Sequence, residues 1–168
     1  MRVVSDTSPL SCLASLDRLD LIERQFRGSV MVPHAVEQEL LRHPDPQALG
    51  RLKSAFAEGM LRVREIERTS LTRILANTLD AGEVQAIALA LAEKADWLLI
   101  DEREGRQAAR SLGMPITGTL GILMRAKRDG SLSSLKSALE CLREKYGFAL
   151  DPVLVARALA EFGESERT

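Results

Sequence analysis

Four acidic residues stand where the sequence pattern predicts that a strand ends or a helix begins. Asp6 and Asp101 each follow a short apolar run that is typical of a buried strand, and Glu83 opens an amphipathic helical pattern. Glu39 lies on the helix that is predicted after the second strand. Because the carboxyl ends of parallel strands meet at one edge of a sheet, we expect these four carboxylates to lie near one another.

The segment from 80 to 102 shows how two of these acids come together. A helix that packs beside the strand following it runs antiparallel to that strand, so the start of the helix and the end of the strand share one edge of the sheet. About 12 helical residues at 1.5 Å and about five extended residues at 3.3 Å both span about 17 Å. Glu83 and Asp101 are therefore predicted to be neighbours.

Carboxylates accompanied by hydroxyl groups form a hard-oxygen site, which suits Mg²⁺ or Mn²⁺ better than zinc. The two histidines, His34 and His43, stand apart from each other, and the two cysteines, Cys12 and Cys141, are distant in the chain. A Mg²⁺ ion held by carboxylates typically activates water and stabilises charge on a phosphate. The sequence therefore predicts hydrolysis of a phosphoryl or phosphodiester group.

A simpler role for the same acids is helix capping. Residues 80–83 and 101–104 both have an acid followed three positions later by Glu, which fits a capping box worth about 1 kcal/mol. Glu39 also fits a solvated helix charge, and Thr119 fits a hydroxyl at a helix start. Asp6 is different, because a carboxylate after an apolar strand is costly to bury unless it is paired, hydrogen-bonded or bound to a metal.

The elements that must position these residues alternate between strand and helix. Such alternation predicts an α/β fold with a mainly parallel sheet, helices on both faces and right-handed crossovers. Predicted strands cover residues 2–5, 29–32, 61–66, 97–100 and 115–117, and predicted helices begin at or near residues 8, 19, 33, 49, 71, 83, 102, 119, 133 and 151.

The composition narrows the class of protein. The length of 168 residues fits a single domain, and 45% hydrophobic with 28% charged residues is ordinary for a soluble globular protein. No window approaches about 18 apolar residues, so we expect a cytoplasmic protein without a membrane span. The formal net charge of −1 gives no overall attraction to nucleic acid, so such a partner would need a local basic patch. The last predicted helix, at 151–163, has an apolar stripe and is expected to cover its own domain or to form a homodimer.

Five segments, in this order, resemble those of PIN-domain proteins, and more narrowly those of small prokaryotic PIN-like proteins with a Gly-Thr-Leu-Gly element. They are residues 4–10 (VSDTSPL), 32–40 (VPHAVEQEL), 79–90 (LDAGEVQAIALA), 98–101 (LLID) and 118–121 (GTLG). The resemblance covers residues 3–148. It implies a three-layer α/β/α arrangement with a five-stranded parallel sheet, a Mg²⁺ or Mn²⁺ site built from acids, and cleavage of single-stranded RNA.

The resemblance also implies roles for individual residues and for a partner. Proteins of this kind are often the toxin half of a toxin-antitoxin pair, which implies a small helical antitoxin. The family usually has a further acid just after the fourth strand, where this chain offers Glu102, and Gln85 stands where close relatives carry a second Glu. The resemblance assigns catalysis to Asp6, Glu39, Glu83 and Asp101, and metal binding to Asp6, Glu83, Asp101 and Glu102.

Substrate contacts are predicted around the same edge of the sheet. Arg103, Arg106 and Arg110 lie at positions i, i+3 and i+7 of the predicted helix after Asp101, and they would form one basic face beside the acids. The alternative is a solvated stripe balanced by neighbouring glutamates. The predicted substrate-binding residues are Thr7, Ser8, Arg103, Arg106 and Thr119.

Two other functions are open on the sequence. The thinner set of acids after the fourth strand favours a catalytically weak or inactive nucleic-acid-binding module. A haloacid-dehalogenase-like phosphatase would use residues 3–7 to present a nucleophilic Asp and residues 108–114 as the end of its domain. That chemistry requires a second acid two residues after the nucleophile, where this chain has Ser8.

Overall fold

The computed structural model describes residues 1–165. Five short strands carry the fold: β1 (Val3–Ser5), β2 (Val30–Pro33), β3 (Leu61–Arg64), β4 (Trp97–Leu99) and β5 (Ile116–Thr117). The helices of the described residues are α1 (Thr7–Ser15), α2 (Asp20–Phe26), α3 (His34–Leu40), α4 (Pro46–Ala57), α5 (Ser70–Leu75), α6 (Ala81–Ala92), α7 (Arg103–Ser111), α8 (Thr119–Arg128), α9 (Leu135–Tyr146) and α10 (Pro152–Glu161).

The strands form one five-stranded sheet in the order β3-β2-β1-β4-β5, and every neighbouring pair is parallel. Val4 pairs with Met31 of β2 on one side and with Leu98 of β4 on the other, so β1 is the central strand. Helices flank the sheet. The predicted α/β fold with a five-stranded, mainly parallel sheet is confirmed.

Helix α6 connects the core to the acidic edge. It contacts β1, β2 and β4, and its Ile87 and Ala90 are buried with Val4 and Leu98 of the strands. The helix is buried on most sides, as expected for an apolar helix that lies across a parallel sheet. Because α6 runs antiparallel to β4, its first turn lies at the edge where β1 and β4 end. This agrees with the equal lengths that the sequence predicts for the helix and the strand within residues 80–102.

Two helix boundaries differ from the sequence prediction. Helix α1 begins at Thr7, so the N-cap position is Asp6 and not Ser8. The backbone of Asp6 is still extended, and its N–H donates to the Leu99 carbonyl at 2.9 Å. Helix α7 begins at Arg103 with Glu102 before it. The interpretation of Asp101 as the cap of that helix is therefore wrong.

The chain divides into two compact units, residues 1–119 and residues 120–168. The sheet and all the acids discussed above belong to the first unit. In the second unit, helices α9 and α10 bury leucines such as Leu142 and Leu159, and the Lys127 ammonium pairs with Glu164 at 2.8 Å. Within residues 1–165, no helix is long and apolar enough to cross a membrane.

Candidate functional site

The candidate site lies at the edge of the sheet where β1 and β4 end and where α1 and α6 begin. Asp6 and Glu83 are 3% and 5% exposed, so both carboxylates are buried within the first unit. Asp101 is half-buried, and Glu39 is exposed. The strand ends and helix starts therefore bring acids from four separate segments to this edge.

Three carboxylates border one small space above the Cα of Gly82. A Cβ built on this residue would lie 3.2 Å from Asp6 Oδ1, 3.3 Å from Glu39 Oε1 and 3.4 Å from Asp80 Oδ1. We call this space the Gly82 cradle. The sequence did not indicate Asp80 as a site residue, because its capping pattern was a sufficient explanation for an acid there.

The capping prediction for Asp80 and Glu83 is itself correct. The Glu83 N–H donates to Asp80 Oδ1 at 2.8 Å, and the Asp80 N–H donates to Glu83 Oε2 at 3.2 Å. This reciprocal pair leaves Glu83 Oε1 buried without a hydrogen bond of good geometry. Burial raises the pKa of the Glu83 carboxyl, and the backbone N–H groups of Asp80 and Gly105 lower it only in part. Glu83 thus caps the helix with Oε2, while Oε1 is buried against Gly105.

The pKa of the Asp6 carboxyl is strongly perturbed by its surroundings. Burial, above all, and the nearby charges of Asp80, Glu83 and Glu39 raise its pKa from 3.8 to about 7. The Thr7 N–H acts in the opposite direction by hydrogen bonding to the carboxylate. Acids gathered without a compensating positive charge make the cradle a place where a cation would be stabilised.

Hydroxyl groups orient two of the acids. The Thr7 hydroxyl donates to Glu39 Oε2, which leaves Glu39 Oε1 at the cradle. The predicted contact residue Ser8 is half-buried in the first turn of α1, next to Thr7. The Thr7 hydroxyl therefore positions the Glu39 carboxylate.

Asp101 forms a separate group with Thr119 and Arg106. Both Asp101 oxygens accept hydrogen bonds from Thr119, one from its N–H at 2.8 Å and one from its hydroxyl at 2.5 Å. The Arg106 Nη1 donates to the Ile100 carbonyl at 2.8 Å. A Cβ at Gly118 would overlap the Asp101 carboxylate and would lie 2.9 Å from Arg106 Nη1. We call Asp101, Thr119 and Arg106 the Asp101 clamp.

The clamp explains the electrostatics of Asp101 and the position of the basic residues. Burial raises the pKa of Asp101, while the hydrogen bonds from Thr119 and the positive charge of Arg106 lower it. Arg103 and Arg110 are exposed, but Arg106 is half-buried and points to the strand end. The predicted basic face therefore has two exposed arginines, Arg103 and Arg110, and one half-buried arginine, Arg106.

Glu102, the predicted further metal ligand, is exposed beside the clamp, and its charge raises the pKa of both Glu83 and Asp101.

The donor chemistry of the Gly82 cradle fits a hard divalent cation. The atoms nearest to the Cβ position of Gly82 are carboxylate oxygens, and a side chain at Gly82 would fill the space between them. Among residues 1–165, no three His, Cys, Asp or Glu side chains already form a compact group that could hold a metal ion. The three carboxylates therefore border the cradle without forming such a group.

An all-parallel sheet in this strand order, with acids at the carboxyl ends of β1 and β4, defines a class of α/β proteins with a hard-oxygen site at one sheet edge. A family model described as DUF3368, a PIN domain, matches residues 2–164, and the chain belongs to the PIN-domain family. PIN domains are generally metal-dependent nucleases. The resemblance found in the sequence is confirmed, and it leaves no support for the haloacid-dehalogenase-like alternative.

Comparison with solved structures agrees on the fold. A PilT N-terminus domain protein from the hyperthermophilic archaeon Sulfolobus solfataricus has a TM-score of 0.54 and 17% sequence identity, with 80% of this chain and 96% of that chain covered. At this identity the similarity shows the fold alone. No curated protein matches the chain.

Proposed function

We propose that the chain is a Mg²⁺- or Mn²⁺-dependent ribonuclease that hydrolyses phosphodiester bonds of single-stranded RNA. The observation that carries this proposal is the Gly82 cradle, where oxygens of Asp6, Glu39 and Asp80 lie 3.2 to 3.4 Å from one point. Membership of a family of metal-dependent nucleases supports the reaction type. A hard-oxygen site would require these carboxylates to be ionised, and a bound cation favours the ionised form.

In the proposed reaction, Asp6, Glu39 and Asp80 would hold the cation, and Glu83 caps the first turn of α6 beside them. When bound, Mg²⁺ or Mn²⁺ supplies an activated water and neutralises charge on the phosphate. Thr7 keeps Glu39 in position through its hydroxyl. The exposed Arg103 at the start of α7 is placed to contact a phosphate of the RNA strand, since it lies at the same edge and is free of the inward contact that Arg106 makes.

A second candidate function is a nucleic-acid-binding module without catalysis. One observation favours it: oxygens of Glu39 and Asp101 are already occupied by threonine hydroxyls, and no compact three-ligand group exists among the described residues. In that case the acids would be a structural cluster, and RNA would bind through arginines on the surface. The two functions differ in whether cleavage depends on a cation.

A metal-titrated cleavage assay separates these functions. Protein freed of metal with EDTA is incubated with labelled single-stranded RNA and increasing Mg²⁺ or Mn²⁺, with duplex RNA and single-stranded DNA as comparison substrates. We expect cation-dependent cleavage of the single strand and a loss of about a hundredfold or more in Asp6→Asn. Glu58→Gln, which removes one exposed carboxylate after α4, is the matched control and should cleave normally. RNA binding without cation-dependent cleavage would select the binding module.

The remaining expectations from the sequence are part of the same proposal. We propose a cytoplasmic protein that acts as the toxin of a toxin-antitoxin pair, with a small antitoxin as partner, and that forms a homodimer. In support of a contact between copies, Val153 and Leu154 on α10 are 62% and 48% exposed. Replacing both with Ser should convert a dimer to a monomer in light scattering, and a wild type that is monomeric at all concentrations would exclude this contact.

A further inference from the structure

A groove lies beside the acidic edge, at the carboxyl ends of β2 and β3, where His34 and Glu65 follow these strands. Helix α5 and residues 65–68 form its walls, the first turns of α6 form its floor, and its volume is about 670 Å³. We call it the α5–α6 groove. Asp80 lines this groove and also borders the Gly82 cradle, so the groove adjoins the proposed cleavage site. A volume of this size is typical of sites for small organic groups.

The floor of the groove is apolar. Leu79 and Val84 are buried there, and Ile66 packs against the same core cluster. None of the described residues that line the groove is aromatic. A planar ring in this groove would therefore lie on aliphatic side chains, and a guanidinium group at the rim would be able to stack on its other face.

The charged groups of the groove are mixed in sign. Two guanidinium groups and three carboxylates line it, all of them on exposed residues: Arg68, Arg73, Glu65, Glu67 and Asp80. The carboxylates disfavour a bare phosphate in the groove, and the guanidinium groups disfavour a metal ion. Donors and acceptors side by side suit a neutral group whose edge has both, as the edge of a nucleobase does.

Gln85 provides an oriented donor in this groove. Its Oε1 accepts a hydrogen bond from the Ala35 N–H at 3.2 Å, and its side chain is half-buried. This bond fixes which end of the amide is the oxygen, so the Nε2 donors are left for a ligand. His34, in contrast, has its two ring nitrogens in contact with Glu37 and Gln38. Gln85 is therefore better placed than His34 to contact the edge of a base.

We propose that the α5–α6 groove binds one unpaired base of the RNA, next to the phosphate that is cleaved, and that Gln85 determines which base is preferred. The apolar floor contacts one face of the base, a guanidinium stacks on the other, and Gln85 Nε2 donates to an acceptor on its edge. The shared residue Asp80 favours a base of the substrate over a segment of a partner protein. This proposal rests on the proposed ribonuclease activity and adds a specificity subsite to it.

Nucleosides test the subsite without any cleavage. Full-length protein in EDTA is titrated with each of the four ribonucleosides, or with ribose, while the side-chain amide of Gln85 is followed by heteronuclear NMR. We expect the amide signals to shift with the nucleosides, to a different extent for different bases, and to stay in place with ribose. Unchanged signals with all four nucleosides would overturn the proposal and leave the groove to a partner protein. Equal shifts with ribose would also overturn it.

Gln85→Glu separates contact with the base from a structural role. The carboxylate keeps the shape of the side chain and an oxygen for the Ala35 N–H, but it removes the Nε2 donors. We expect the affinity for the preferred nucleoside to fall by about tenfold, which corresponds to the loss of one hydrogen bond. Gln47→Glu, the same change at an exposed residue of α4, is the matched control. Equal affinities of Gln85→Glu and the wild type would refute the role of Gln85.

Arg68→Met and Arg73→Met provide variants that leave the core unchanged, because both side chains are exposed. At least one of them should weaken nucleoside binding by about threefold, the effect of losing one exposed cation–π contact. Arg42→Met, at an exposed residue after α3 and outside the groove, should bind as the wild type does. Unchanged binding in both groove variants would refute a base stacked between the floor and a guanidinium.

Cleavage assays distinguish this subsite from the ribonuclease itself. RNA strands that differ in one base beside the cut should be cleaved by the wild type at unequal rates, and Gln85→Glu should reduce this difference. If nucleosides shift the Gln85 signals but no RNA is cleaved, the proposed ribonuclease fails and the base-binding groove stands. If RNA is cleaved without base preference and no nucleoside shifts these signals, the subsite fails and the ribonuclease stands.

Discussion

The buried carboxyl of Asp6 makes a sharp prediction about stability in the absence of metal. Replacing Asp6 with Asn keeps the size of the side chain and an oxygen that can accept from the Thr7 N–H, but it removes the group that ionises. At neutral pH, the folded wild type must either keep Asp6 protonated or hold its charge among Glu39, Asp80 and Glu83. The Asn variant avoids both, so the metal-free variant should be more stable than the wild type.

The magnitude follows from the pKa shift. The pKa of Asp6 is 3.8 in the unfolded reference and about 7 in the folded protein, and one unit corresponds to about 1.4 kcal/mol. Between these two values the unfolded chain has released its proton while the folded chain still holds it, so the stability of the wild type falls as the pH rises. The penalty is about 2 kcal/mol at pH 5 and reaches about 4 kcal/mol above pH 7. Because Asp6 is only 3% exposed, solvent screening does not reduce this free-energy penalty substantially.

Urea unfolding of both proteins at several pH values, in EDTA, measures this difference. The free energy of unfolding of Asp6→Asn minus that of the wild type should increase by about 2 to 3 kcal/mol between pH 5 and pH 8. Glu58→Gln, which removes an exposed carboxylate, should follow the wild type across the range. If the free energies of unfolding of Asp6→Asn and of the wild type change in parallel over this pH range, the pKa of Asp6 is not raised by its surroundings. The electrostatic description of the cradle would then fail.

Three further predictions concern the groups around the cradle. Gly105→Ala places a Cβ 2.5 Å from a buried carboxylate oxygen and should destabilise the protein by about 1 to 3 kcal/mol in urea unfolding. Gly50→Ala, which meets nothing, should instead be neutral or stabilising by up to about 1 kcal/mol, and equal effects would contradict the packing argument. Thr119→Val removes the hydroxyl bond to Asp101 and should lower the free energy of unfolding by about 1 to 3 kcal/mol, with an unchanged value excluding the clamp. Arg103→Ala should weaken binding of single-stranded RNA and reduce the slope of log K against log salt by about 0.7, and an identical slope would remove this residue from the interface.

The sequence determined the framework of this protein because the framework depends on local patterns. Short apolar runs separated by amphipathic segments are sufficient to indicate parallel strands and helices, and the strand that each acid follows then fixes the edge where it lies. For this reason Asp6, Glu39 and Glu83 could be predicted as neighbours. The capping box of Asp80 and Glu83 was equally predictable, since it involves residues three positions apart.

The tertiary structure alone decided which partner each acid takes. Asp101 is 18 positions from Thr119, and the choice between capping its own helix and binding Thr119 depends on β5 lying beside β4. Asp80 borders the cradle because Gly82 has no side chain and the ends of β1 and α3 approach it. Arg106 has the spacing of a surface residue, yet the Ile100 carbonyl at the strand end accepts its hydrogen bond. Such choices depend on distances between segments that only the packed sheet establishes, and no periodicity within a single segment contains them.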